Sequence, residues 1–124
     1  YSIIAVGRDG VVAQVHCDKI DMLTLPEGEK SVRVQLLNSG VNKHFFDIVA
    51  NENGEGIAVG LASILTIKNG SELNKIEIAH PDRDYLYLMG VTPISESKYV
   101  LVGARGLAIT LDTATTEIMG LVKW

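Results

Sequence analysis

One short pattern occurs three times in this chain: "AVGRDGVVAQVHCDKIDMLTL" from Ala5, "AVGLASILTIKNGSELNKIEI" from Ala58 and "LVGARGLAITLDTATTEIMGL" from Leu101. Aligned on Gly7, Gly60 and Gly103, each copy obeys the same grammar. An apolar run ends in glycine, a short turn follows, a second apolar run opens, a polar turn closes it, and a more alternating run completes the unit. Copies spaced at roughly 40 to 50 residues confine the chain to folds built from equivalent modules. The repeated glycine is expected to serve a tight hairpin that needs a positive φ.

The modules are made of strands. "SIIAVG", "GVVAQVHC", "GIAVG", "SILTIK", "KYVLVG" and "LAITLD" are short, rich in Val, Ile, Leu and Thr, and bounded by turn residues. Several are apolar at consecutive positions, the signature of a strand covered on both faces. "KIDMLTL" (Lys19 to Leu25), "NKIEIA" (Asn74 to Ala79) and "TEIMGLV" (Thr116 to Val122) interleave charge with apolar residues and suit outer strands with one wet face. A fourth strand precedes the second unit in "HFFDIVANENG" (His44 to Gly54) and the third in "YLYLMGVTPIS" (Tyr85 to Ser95), but not the first. Asn69-Gly70 is a two-residue hairpin signal. No segment has a helical period; "EKSVRVQLLNSG" alternates Val-Arg-Val-Gln and ends in a turn.

Four-stranded units at this spacing predict an all-β fold of β-propeller blades, about three of them, with a β-sandwich as the alternative. The expected division is a partial blade at 1–25 (strands b to d), a connecting loop or extra hairpin at 26–43, a second blade at 44–79 and a third at 80–124. Val32, Val34, Leu36 and Leu37 in the connection are expected to seek burial. Three blades cannot close a disc. The chain is therefore expected to be part of a larger propeller or a homo-oligomer, and a first residue of Tyr1 instead of Met agrees with a processed or partial chain.

The stretch from Phe45 to Ile78, with its Asn-Glu-Asn-Gly turn, "AVG", "SILT" and "KNG", resembles blades of the BNR-like, Asp-box β-propeller superfamily, and within it the photosystem II assembly and stability factor group. The second and third units follow that pattern along most of their length and the first over its last three strands. Ser63 stands where those blades carry glycine, the "KNGSELNKI" turn lacks their tryptophan, and "LDTATTEI" keeps only Asp112 of that turn. The resemblance implies a propeller scaffold with an assembly role.

Composition narrows the function classes. In 124 residues, 47% of them hydrophobic, there is material for one modest core and no sign of disorder. Eleven basic against 15 acidic residues give a net charge of −4, which argues against a surface devoted to nucleic acid or anionic lipid. The apolar runs fall short of the roughly 18 to 20 residues of a membrane helix. Cys17 alone forms no disulfide framework and no thiolate zinc site unaided. No cofactor is implied, and the compartment is not specified.

In a four-stranded meander a to d, the b-to-c turns and d-to-a loops share one face. That face is expected to carry Arg8 and Asp9, Leu61-Ala62, Ala104-Arg105 and the loop "HPDRD" with Arg83. Guanidinium groups on a stiff rim suit carboxylates, phosphates or a protein partner. Arg8, Asp9, Arg83 and Arg105 are thus the candidate partner-binding residues. Two bland readings compete: solvated turn residues for these, and packing for His16 and Cys17, which as strand neighbours point to opposite faces and cannot share a metal. His44 and His80 lack ligand spacing, and Trp124 reads as a core or edge aromatic. The leading expectation is a non-enzymatic interaction scaffold. The competing one is a glycan-binding or sialidase-like propeller, which needs an arginine cluster and an acid-base set at the disc centre.

Overall fold

The structure, a computed structural model, describes residues 2–17, 32–51, 53–115 and 117–122. The described strands form three antiparallel meanders in chain order. The first joins β1 (Ser2–Val6), β2 (Val12–Cys17) and β3 (Val32–Leu37); the second joins β4 (Phe45–Ala50), β5 (Gly56–Gly60), β6 (Ser63–Lys68) and β7 (Glu72–Ile76). The third joins β8 (Leu88–Pro93), β9 (Lys98–Gly103), β10 (Ala108–Asp112) and β11 (Glu117–Val122). Asn69 and Gly70 take φ of 54° and 75°, so the tight hairpin between β6 and β7 forms where Asn-Gly marks it.

Two separate cores hold the sheets together. Between the first and second lie Val12, Phe45, Ala58 and Leu65, flanked by Ile4, Val6 and Leu37. Between the second and third lie Ile57, Val59, Ile64, Leu88, Leu101, Ile109 and Leu111. Each fully buried aliphatic side chain here stabilises the fold by about 1.5–3 kcal/mol. The middle sheet is covered on both sides: β5 is buried at every position and β6 at all but Lys68. In β9 and β10, burial alternates instead, because only one face has a neighbour. A β-sandwich would share a single core between two sheets. Successive sheets stacked through separate cores are propeller blades.

Three expectations change. Sequence alone gives Lys19–Leu25 as the outer strand of the first unit, a segment outside the described residues, and 26–43 as a connecting loop or extra hairpin. Within that connection Val32–Leu37 is itself a strand, paired with β2 from Cys17↔Val32 to Val12↔Leu37. Nor are Val34 and Leu36 buried: they are 64% and 73% exposed, on the side of the first sheet that faces away from the second. The third change concerns the repeated glycine. Gly7 and Gly103 have φ of −165° and −157°, extended backbone open to any residue. What Gly60 and Gly103 supply is room, since a Cβ there would collide with the carbonyl oxygens of His44 and Tyr87. Those carbonyls come close to accept hydrogen bonds from the next N–H in the chain, Leu61 at 3.0 Å and Ala104 at 3.0 Å.

The inner strands are also tied across blades. A bulge in β4 turns Asp47 toward β8, where one carboxylate oxygen accepts the Val91 N–H at 3.0 Å while the other accepts the Ile48 N–H at 2.9 Å.

Gly60→Ala and Gly103→Ala should each cost about 2–3 kcal/mol in urea denaturation, whereas Gly7→Ala, with nothing within 4 Å of its Cβ position, should cost under about 0.5 kcal/mol. Equal costs at all three sites would refute the close-approach account. Tyr99 gives a pH signature. Burial in the second core, with Glu55 adding, raises its phenol above 10.0. An unfolded tyrosine ionises near 10.0, so above that pH the unfolded chain releases a proton that the folded chain retains. Stability should therefore fall as pH rises past about 10, and Tyr99→Phe should remove that part of the slope.

Candidate partner-binding face

Antiparallel meanders return alternate connections to the same end of each sheet, so the turns after β1, β5 and β9 lie beside the loops leading into β4 and β8. Hydrogen bonds fasten them into one rim. The Asp9 N–H donates to His44 Nδ1 at 2.9 Å, the Ala62 N–H to the Leu86 carbonyl at 2.7 Å and the Ala104 N–H to the Tyr87 carbonyl at 3.0 Å. Each turn places one non-glycine residue in the left-handed region: Asp9 at φ 56°, Ala62 at 50° and Arg105 at 62°. That conformation costs about 1–2 kcal/mol per residue. Gly10 and Gly106 follow at φ 77° and 70°, so both central residues of the β-turns Arg8 to Val11 and Ala104 to Leu107 are left-handed, with the Val11 N–H donating to the Arg8 carbonyl at 3.1 Å and the Leu107 N–H to the Ala104 carbonyl at 3.4 Å.

The four candidate residues divide into two groups. Arg83 opens the 3-10 turn Arg83–Tyr85 and lines a hollow of about 170 Å³ with Lys43, Lys75, Glu77 and Asp84. Arg105 lines a neighbouring hollow of about 160 Å³ with Tyr85, Leu86 and Tyr87. The loop 83–87 therefore contributes to both hollows, with Arg83 and Asp84 in the first and Tyr85, Leu86 and Tyr87 in the second. Arg8 lines neither. It is exposed beside Asp9 on the turn of the first sheet.

Asp9 carries its charge into solvent. His44 Nδ1 accepts the Asp9 N–H at 2.9 Å, and the Asp9 carboxylate, 82% exposed, lies 3.8 Å from the same nitrogen. His80 is similarly occupied, its Nδ1 accepting the Asp82 N–H at 3.0 Å to tie its own turn. Among the described residues no group of three or more His, Cys, Asp or Glu is placed to hold a metal ion.

Two residues of the rim escape the sequence argument. Tyr85 and Tyr87, expected inside the strand from Tyr85 to Ser95, precede β8 and are 75% and 46% exposed. Leu86 and Leu88 between and beyond them are buried at 1% and 0%. The alternation in "YLYL" carries this signal: one face of the segment seats in the core and the other presents tyrosines beside Arg105. At the opposite end of the sheets, a cleft of about 240 Å³ between the second and third blades is lined by Glu55, Thr66, Lys68, Ser97, Tyr99 and Thr113.

No protein-family model matches the chain, and no curated protein matches it. Among solved structures it is similar to the crystal structure of the WD40 β-propeller domain of Doa1, with a TM-score of 0.56 and 15% sequence identity. The match covers 94% of this chain and 38% of that one, so the chain spans well under half of the propeller it resembles. At that identity the likeness concerns the fold, and it agrees with the stacked meanders: the chain folds as β-propeller blades.

Proposed function

We propose that this protein is a non-enzymatic interaction scaffold that binds a protein partner through the rim carrying the turns after β1, β5 and β9. The observation that carries this reading is the hollow at Arg105. An arginine on a left-handed turn flanks two tyrosines, one of them 75% exposed, and Arg83 opens the loop that carries both tyrosines. Arginine and tyrosine are the residues that dominate protein interfaces, because each offers a large, semi-rigid surface and directed hydrogen bonds. Arg83 and Arg105 then receive partner carboxylates, while Arg8 and Asp9 extend the contact along the first blade. The similarity of the Phe45–Ile78 blade to the BNR-like assembly factors supports the same class of role. Further blades, of the same polypeptide or of a second copy, cover the free faces of the first and third sheets.

No observation favours the sialidase-like alternative. The carboxylate on the described inner strands, Asp47, has both oxygens engaged by backbone N–H groups. Its position at the blade junction gives it a structural task.

Immobilised protein should retain a specific partner that mass spectrometry identifies, and Arg105→Glu or Tyr85→Ser should weaken capture at least about tenfold with an unchanged melting temperature. Lys98→Glu, on a strand end away from the rim, should leave capture intact. Equal capture by all four proteins, or release of fluorophore from a fluorogenic sialoside, would overturn the proposal. Arg105→Gly separates stability from binding: relief of the left-handed turn should raise stability by up to about 1 kcal/mol while capture falls.

A further inference from the structure

The cleft between the second and third blades, at the end of the sheets opposite the rim, takes no part in the proposed partner contact. Its floor is well built: Thr66 and Ile67 of β6 are buried, and Tyr99 of β9 is 5% exposed. The Tyr99 hydroxyl nevertheless has no hydrogen-bond partner among the described residues, and it is not sealed from solvent, so it opens into the cleft that its side chain lines. A largely enclosed polar group with its donor unspent is uncommon in a folded chain. Two opposite charges stand on the walls. Gly56 pairs with Ile67 across β5 and β6, which makes Glu55 and Lys68 the next facing residues. Both line the cleft, and neither enters an ion pair among the described residues, although Lys68 also faces Glu72 of β7. Thr66 Oγ1 donates to the Asn74 carbonyl at 3.2 Å and Thr113 Oγ1 to the Ser97 carbonyl at 3.1 Å, so both hydroxyls have spent their protons and offer lone pairs.

We propose that this cleft binds a free aliphatic α-amino acid, its ammonium group held by the Glu55 carboxylate and its carboxylate by the Lys68 ammonium and the Tyr99 O–H. Facing charges that leave each other unpaired suit a ligand that carries both signs itself. The two signs must also sit close together, since facing residues on paired strands are only about 4.5–5.5 Å apart at Cβ. An α-amino acid meets that requirement and a long-chain one does not. The Thr66 and Thr113 oxygens accept the remaining ammonium protons, and charge-assisted bonds at both ends are the strong kind. Burial and the Glu55 carboxylate raise the Tyr99 phenol above 10.0, so it stays a donor at neutral pH and matches a carboxylate. Ile67 and Ala114 supply apolar surface for a short side chain. The cleft volume of about 240 Å³ lies below the roughly 300–1,000 Å³ of sites for drug-sized ligands, which fits an occupant smaller than a nucleotide. Nothing in this site depends on the arginine rim or on the function proposed for it.

The probe is L-leucine, titrated into isotope-labelled protein and followed by NMR. Amide shifts centred on Glu55, Lys68, Tyr99 and Thr113 should saturate with a dissociation constant of about 1 mM or lower. N-acetyl-L-leucine, which lacks the ammonium, L-leucinamide, which lacks the carboxylate, and aminocaproate, whose charges are far apart, should each bind at least about tenfold more weakly. Glu55→Gln, Lys68→Met and Tyr99→Phe should each weaken L-leucine at least about fivefold at an unchanged melting temperature. The fold survives these changes, because Glu55 and Lys68 are exposed and Tyr99→Phe removes only an unbonded hydroxyl. Absence of saturation by L-leucine, L-valine and L-alanine up to about 20 mM would overturn the proposal. So would shifts confined to the rim, full affinity in Tyr99→Phe, or equal binding of L-leucinamide, which would make the cleft a site for a simple cation such as a partner's lysine side chain.

Discussion

The middle sheet is apolar on both faces, and the rest of the architecture follows from that. Ile57, Val59 and Ile64 press against the third sheet while Ala58 and Leu65 press against the first. A lone meander of this composition would leave two greasy surfaces in water, so its stability resides in its neighbours more than in itself. The end sheets inherit the same demand. Val34 and Leu36 on one side and Val102 and Val122 on the other stay exposed at 48% to 73%, at positions whose counterparts on the facing sides are covered. Such a stack is modular by construction, and each added unit completes a core that the previous one began.

Stiffness at the rim comes from the same stacking. Loops entering β4 and β8 approach so closely that only glycine fits opposite them, and the resulting hydrogen bonds clamp each turn to the inner strand of its own sheet, while the Asp9 and Ala62 N–H groups tie the turns of the first and second sheets to the following blade. Held this way, the turns tolerate left-handed Asp9 and Arg105, conformations a free loop would relax. Exposed charge and aromatic surface are thus carried on a hydrogen-bonded frame instead of a free loop.

Much of this was legible in one dimension. The glycine-centred copies located the strand pairs, and unbroken apolar runs at Gly56–Gly60 and Ser63–Lys68 announced a sheet buried on both sides. Counting connections leads to the expectation that Arg8, Arg83 and Arg105 share one face; Arg83 and Arg105 line hollows that share the loop 83–87, and Arg8 lines neither. Other features were hidden. "VRVQLL" read as part of a connecting loop or extra hairpin seeking burial, because alternation cannot say which neighbour a strand will meet, and among the described strands it is the outer one of the first sheet. Tyr85 and Tyr87 had strand chemistry, yet the chain joins the sheet only at Leu88.

Sequence by itself determined the unit: strand length, turn position, apolar spacing and the repeat are local properties, written in neighbouring residues. Tertiary structure decided what each glycine is for, which faces are wet, and that Arg105 and not Arg8 stands beside tyrosines. Those depend on how close one backbone comes to another across tens of residues, and no local pattern encodes that distance.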